Sequence, residues 1–375
     1  MTPVFPGIRI DAAELRLVRL PLLTPFVIST GTMTEKLFPL LVLRGEGLEG
    51  YAEGVMDPLP DYLEETLPGS LAFLRQAVLP QLVGRRFDSP AALAALLDPW
   101  RGHRMAKAMV EMALWDLWAK ALNLPLSAAL GGVRDAVEVG VSLGIADIPT
   151  TLGRVRVAVE AGYRRVKLKI RRGHDTALLA AVRAEFPDTR LTVDANTDYR
   201  LGDLPLLKSM DAFGLDYIEQ PLAHDDIQDH ARLQAQMLTA ICLDESIRSA
   251  TDARRALVAD AARVVNIKVG RVGGFAQARA IHDLCAAFDV PVWCGGMLES
   301  GIGRAQNIHL ASLPNFSKPG DTSSSSRYFR RDIVEQPLEA EAGLMAVPRH
   351  GPGLGVTLDR AHLAQVGDAP EVFAA

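Results

Sequence analysis

Five short apolar runs between Arg165 and Gly270 constrain this chain more than anything else in it. They read VKLKI, LTVDAN, DYIEQP, ICLDES and VVNIKV, and each ends in chemistry-bearing residues: Lys167 and Lys169, Asp194, Glu219, Asp244 and Lys268. From Lys169 onward these stand 25, 25, 25 and 24 residues apart. That interval accommodates a strand, a tight loop, a helix and a return loop. Such a beat predicts consecutive units of a (β/α)₈-type barrel, a fold whose catalytic groups sit at the C-terminal ends of several strands.

At 375 residues the chain exceeds the ~250 of a barrel, which leaves room for a second unit. Residues 8 to 24 alternate apolar and polar, the period of a half-buried strand, and Leu40–Arg44 and Tyr51–Gly54 predict two more. The polar segment TPFVISTGTMTEK between the first two reads as an irregular loop, and Pro58 to Tyr62 as a second loop. Helical patterns follow at Leu71–Leu82, Pro90–Leu97 and His103–Leu122. Strands followed by helices predict an α+β capping domain over 1–132. From Val137 strand and helix alternate, which places the barrel at 133–329. VEVGVSL (Val137–Leu143) is its expected first strand, the five runs are strands two to six, PVWCGG is the seventh and KPGDTS a weak eighth. The Pro- and Gly-rich remainder, 330–375, is expected to return to the capping domain.

Half of the chain is apolar and its net charge is −5, a balance that calls for neither nucleic acid nor a membrane surface. No apolar run approaches the ~20 residues of a span. Three cysteines, none in a CxxC spacing, fit a reducing cytoplasm.

In an eight-membered ring, strands two and six lie opposite one another. Asp194, Glu219 and Asp244 then line the arc between them, with Lys169 and Lys268 at its ends. Converging acids raise one another's pKa unless a cation joins them, and an all-oxygen donor set favours Mg²⁺ or Mn²⁺ over zinc. A divalent ion flanked by amines suits removal of a proton α to a carboxylate. Lys167 and Lys169 are two apart on a strand, so both point inward, and their repulsion is expected to help Lys169 serve as base. Two opposed lysines permit racemisation. One lysine acting alone permits dehydration of a β-hydroxy acid.

At these residues the chain resembles the enolase superfamily, specifically its muconate-lactonising subgroup. The motifs are Lys167-Leu168-Lys169, Asp194-Ala195-Asn196, Glu219-Gln220-Pro221, Asp244-Glu245-Ser246 and Asn266-Ile267-Lys268. That superfamily's Lys or His base with Mg²⁺ is itself a standard example of tuned acid–base chemistry. Cys294-Gly295-Gly296, without histidine, is unlike the acid-sugar dehydratases. Gly320-Asp321-Thr322-Ser323 lacks the Asp-x-Asp of dipeptide epimerases. The strings PVWCGGMLESGIGRA and LPNFSKPGDTSSSSRYF are similar to those of N-acylamino acid racemases and o-succinylbenzoate synthases, the latter enzymes of menaquinone biosynthesis. The resemblance implies Lys169 and Lys268 as the acid/base pair, Asp194, Glu219 and Asp244 as ligands of Mg²⁺ (or Mn²⁺/Co²⁺), and supporting roles for Lys167 and Asn196. Substrate-binding or supporting candidates are Asn266, Gly296, Met297, Asp321, Phe26 and Ser29, under loops near Phe26–Met33 and Met56–Tyr62. A small-molecule carboxylate substrate and a homo-oligomer are implied. Muconate cycloisomerase, dipeptide epimerase and a non-catalytic metal-binding barrel are the alternatives.

Glu245 is expected to point away from its neighbour Asp244. Gly301-x-Gly303 reads as a helix start, Met105, Met109, Met112 and Trp115 as core or subunit interface, and Cys294 as packing. His174, His224, His230 and His309 read as surface or helix residues.

Overall fold

The computed structural model describes residues 7–27 and 31–374. An antiparallel sheet is built from β1 (Ala12–Val27), β2 (Thr32–Gly45) and β3 (Leu48–Glu53). Seven parallel strands then form a second sheet: β4 (Val141–Leu143), β5 (Val166–Lys169), β6 (Leu191–Asp194), β7 (Ile218–Glu219), β8 (Ile241–Leu243), β9 (Val264–Ile267) and β10 (Val292–Cys294). They pair in strict sequence order, as right-handed strand–helix–strand units require. A final strand, β11 (Glu371–Ala374), pairs antiparallel with β1.

The eighth position of the ring is occupied without a regular strand. Phe316 bridges Val292 and Gly320 bridges Val139, both in parallel sense. Gly140 N donates to Gly320 O at 2.8 Å, and Asp321 N to Cys294 O at 3.0 Å. Pro319 has no N–H to contribute to a ladder, which is why Lys318-Pro319-Gly320 closes the barrel by single bridges.

Two expectations need correction. Val137–Leu143 is not one strand: Ala136–Glu138 pairs antiparallel with Leu344–Ala346, and only β4 joins the barrel. Gly140 marks the change of partner, because a Cβ there would stand 2.5 Å from Arg165 O. Nor are the described residues of TPFVISTGTMTEK irregular: β1 reaches Val27 and β2 begins at Thr32, with Phe26 opposite Met33 and Val27 opposite Thr32 after a register shift beyond Pro21. β-Branched Thr32 and Thr34 favour the extended backbone despite their polarity. Ser29, a candidate binding residue, lies outside the described residues.

The long helix α1 (Arg104–Ala121) is buried almost all round, including Met105, Met109, Met112 and Trp115. Such a helix needs cover on both sides, and its own acids supply part of the joint. Glu111 accepts Phe275 N at 2.7 Å and Ala276 N at 3.0 Å, capping α2 (Phe275–Ala287). From β3, Glu53 accepts Ser300 N at 3.0 Å and Gly303 N at 3.1 Å, capping α3 (Gly301–Ala311). Burial pushes both carboxyls up to about 7, while the helix-terminal amides draw them toward the charged form.

His230 and His309 do lie on helices, and both are buried. His309 takes a hydrogen bond from Ser127 N at 3.0 Å on Nδ1 and faces Leu354 O at 3.1 Å with Nε2, so the neutral ring joins three parts of the chain. Burial lowers its pKa to about 4. A folded pKa below the unfolded ~6.5 gives stability that is complete above pH ~6.5 and is lost as pH falls toward the folded value. Between about pH 6.5 and 4.5 this group should remove roughly 2–3 kcal/mol. Urea unfolding should show that loss in the unaltered protein and a correspondingly shallower pH slope in His309→Gln.

Candidate active site

The barrel register sets the expected residues around one mouth. Lys169 stands opposite Asp194, and Asp194 opposite Glu219, while Asp244 and Lys268 follow directly after β8 and β9. All five are buried. The turns leaving these strands carry non-glycine residues at positive φ, namely Asn196 at 40°, Thr197 at 67° and Gln220 at 39°. Strain of this kind, ~1–3 kcal/mol per residue, persists where surrounding contacts over-determine the backbone.

Each acid is answered by a cation. Asp194 Oδ2 accepts from Lys169 at 2.7 Å and faces Lys167 at 3.2 Å. Glu219 accepts from Lys167 at 2.9 Å and from Asn266 Nδ2 at 2.9 Å. Asp244 accepts from Lys268 at 2.8 Å and pairs closely with Arg271. Asp321 pairs with Lys167 at 2.6 Å and with the fully buried Arg165. Asn196 offers its Oδ1 to Lys169 and donates Nδ2 to Glu245 at 3.0 Å. Gln220 Oε1 accepts from Asp244 N at 3.0 Å and Ser246 N at 3.2 Å, holding the third acid's backbone.

A cavity of about 70 Å³ is lined by both Lys169 and Lys268, with Asp194, Lys167, Phe26, Gly296 and Asp321 among its walls. Tyr62, Asn196 and Glu245 line a further cavity of about 330 Å³. Met297 lies beside the mouth, its N–H held by Glu299 at 2.8 Å.

Burial would raise Asp194, but Lys169 and Lys167 outweigh it and hold the carboxyl down to about 2. Glu219 is raised by burial and by the charge of Asp194, and Glu245 is raised for the same two reasons. Burial opposes charge on Lys167 and Lys268, yet both are raised: the first by Asp321 and Glu219, the second by Tyr62 and nearby acids. At Lys167 and Lys268 the neighbouring acids thus outweigh both burial and amine–amine repulsion.

Glu245 also departs from expectation, since it turns inward to Asn196. Tyr62 and Arg271 were not singled out in the sequence. Tyr62 OH takes hydrogen bonds from Lys268 Nζ and Arg271 Nη1, both at 2.9 Å. Arg271 also donates to Asn266 O at 2.7 Å and Ile247 O at 3.1 Å. Its place three residues after Lys268, on the helical turn leaving β9, was the available signal.

The donor set fits a hard divalent cation: three buried carboxylates from consecutive strands, with no imidazole or thiol among them. Among the described residues no three acid, imidazole or thiol side chains are grouped ready to hold an ion as they stand. Asp194, Glu219 and Asp244 would have to exchange amine contacts for the cation.

Two family descriptions match the chain: "Mandelate racemase / muconate lactonizing enzyme, N-terminal domain" over residues 12–131 and "Enolase C-terminal domain-like" over 152–362. The N-succinylamino acid racemase of Thermus thermophilus is 54% identical over 351 residues, covering 93% of this chain and 95% of the relative. The o-succinylbenzoate synthase of Geobacillus kaustophilus is 46% identical over 369 residues, covering 98% of each. A solved enolase superfamily member from Listeria innocua superposes with a TM-score of 0.95 at 41% identity, covering 98% of this chain and 99% of that one.

Mg²⁺ supplied at about a hundred times its dissociation constant should raise the unfolding free energy by about 2.7 kcal/mol. Thermal unfolding checks this, and Asp244→Asn should lose most of the shift. An unaltered protein indifferent to Mg²⁺, Mn²⁺ and Co²⁺ would rule the donor set out.

Proposed function

Because the chain belongs to the mandelate racemase / muconate lactonizing enzyme family of the enolase superfamily, we propose that it abstracts the proton α to a carboxylate and racemises N-acyl, and in particular N-succinyl, amino acids. The observation that carries this reading is the pair Lys169 and Lys268, both buried and both lining one cavity with Asp194 between them. The names borne by relatives at 43–54% identity support the same chemistry.

Asp194, Glu219 and Asp244 would hold the divalent ion, Mg²⁺ with Mn²⁺ or Co²⁺ as substitutes, which supplies Lewis-acid stabilisation of the substrate's carboxylate. Lys169 takes the α-proton from one face and Lys268 Nζ delivers one to the other, and the reverse sequence serves the other enantiomer. Asn196 Oδ1 aims the first amine and Tyr62 OH the second. Lys167, clamped by Asp321 and Glu219, contributes fixed positive charge. Asn266 keeps Glu219 in place. Phe26, Gly296 and Met297 form the wall against the substrate, and the loop ending at Tyr62 covers the mouth and excludes water.

Dehydration to o-succinylbenzoate is a second activity of the same site, favoured by the synthases among the relatives. It needs one lysine to take the proton and assist departure of the β-hydroxyl. A dipeptide epimerase would need a free acid for the substrate's ammonium, and Asp321 is already engaged by Arg165 and Lys167. On this reading the chain divides into a cap (1–132), a barrel (133–329) and a returning segment (330–375). It works in the cytoplasm as a homo-oligomer. No described helix is long and apolar enough to cross a membrane.

In D₂O, each enantiomer of N-succinylmethionine should exchange its α-hydrogen, followed by proton NMR. Lys169→Ala and Lys268→Ala should each reduce racemisation by ~10³-fold or more. Turnover left intact in both variants would defeat the assignment.

A further inference from the structure

A cavity of about 480 Å³ lies where the N-terminal part of the chain meets the barrel. The loop Leu63–Thr66 and the segment Arg101–Met105, which leads into α1, form most of one side. Arg248, Asp252 and Arg271 form the other. Lys169, Lys268 and the three acids of the mouth take no part in its walls.

Every acid on these walls is already engaged. Glu65 accepts Met105 N and Ala106 N, both at 2.9 Å, and Ser70 Oγ at 2.7 Å, so the first amides of α1 are filled from within the chain. Glu64 pairs with Arg248 at 2.9 Å, and Asp252 takes the Ser249 hydroxyl at 2.7 Å. Arg271 is held by Asp244. Arg101 and Arg104 are left over. Among the described residues neither guanidinium has a carboxylate within 4 Å, and neither side chain makes a hydrogen bond. Gly102 at φ 67° and His103 at φ 47° turn the chain between them, and both arginines line the one cavity. A left-handed conformation is uncommon at a non-glycine residue such as His103. Burial and the charge of Arg104 also lower the pKa of Lys107, one turn further along α1. Like charges gathered without a counter-charge repel one another, and an anion between them relieves the repulsion.

The geometry favours phosphate over carboxylate. A carboxylate presents two oxygens in a plane, which a single guanidinium fork satisfies. A phosphate carries a charge of about −1.5 to −2 at neutral pH and offers oxygens in several directions, which matches two unpaired guanidinium groups approaching from different points of the wall. Arg248 has donors to spare as well, since only one Nη is engaged by Glu64.

The loop on the near wall gives such a site a consequence. Residues 54–66 form neither helix nor strand, and segments without a ladder of their own open most easily. Leu63–Thr66 directly follow Tyr62, whose hydroxyl meets Lys268 and Arg271. We propose that the cavity binds a phosphate-type oxyanion between Arg101 and Arg104, and that the bound anion steadies the loop that carries Tyr62. The inference stands apart from the choice of substrate at the mouth.

Calorimetric titration with inorganic phosphate, in chloride buffer of matched ionic strength, should show one site in the unaltered protein. Arg101→Gln and Arg104→Gln, both at exposed positions, should each weaken binding by about tenfold, and by about a hundredfold together. Lys169→Ala should leave the titration unchanged. Hydrogen exchange followed by mass spectrometry should show the amides of residues 61–66 slowed at least ~3-fold at saturating phosphate, and not slowed in the double variant. Glycerol 3-phosphate, titrated alongside, separates a site for phosphomonoesters, which would bind at least as tightly, from one for the free ion, and either supports the oxyanion class. Absence of binding beyond that of chloride overturns the proposal. Binding undiminished in the double variant overturns it too, because the ion then lies elsewhere. Binding that leaves the exchange of residues 61–66 unchanged removes the link to the loop. None of these readouts requires turnover, so they are decided independently of the racemase reading.

Discussion

Burying four acids and their cations at the mouth of a barrel is the constraint from which the rest of the molecule follows. Ions removed from water cost several kcal/mol each unless their partners meet them in good geometry. The chain therefore surrounds Asp194, Glu219, Asp244 and Asp321 with Lys167, Lys169, Lys268, Arg165 and Arg271, at separations that leave little slack. Neutral groups fill the remaining valences: Asn266 on Glu219, Asn196 on Lys169, Gln220 beneath Asp244. Removing one member leaves its partner as a buried, unpaired charge. The site is accordingly a single electrostatic unit, and replacements within it should couple and not add.

That unit needs its cover in register, and the joint between the N-terminal sheet and the barrel provides it. Glu53 and Glu111 satisfy the first amides of α3 and α2, while Asp116 accepts Tyr51 N and Leu354 N, both at 2.8 Å. These contacts fix the origin of the loop that delivers Tyr62 to Lys268 and Arg271. Structural acids and the proposed catalytic amines are thus linked through rigid elements. A group such as His309, distant from the chemistry, contributes by keeping those elements docked.

Regularity made the barrel legible. Each strand must end at the same height, so the spacing of Lys169, Asp194, Glu219, Asp244 and Lys268 encodes both the fold and the convergence of its charges. Features decided by tertiary contact were less legible. Gly140 divides a seemingly continuous strand because Arg165 O leaves no room for a side chain, and nothing in the run VEVGVSL reports that neighbour. The β1–β2 extension hides in a polar string because partners across a hairpin stabilise residues whose own pattern is ambiguous. Glu245 turns inward although it adjoins Asp244, since the chain leaves regular strand geometry after Leu243 and the alternation rule lapses there. Arg271, Arg165 and Tyr62 carry no motif. Their importance lies in which buried charge they meet.

A division of labour follows from where the charges balance. Around the acids every positive group is matched by a negative one from the chain, so that part of the ring is self-sufficient and suited to chemistry common to many carboxylate substrates. On the arc between β10 and β4, Arg304 rests instead on Ser323 O and the Tyr328 ring. A barrel arranged this way can keep one proton-transfer apparatus while its choice of substrate changes through a few residues on the opposite wall. Racemisation and dehydration both begin with the same proton, which is why the residues around Lys169 and Lys268 do not distinguish them.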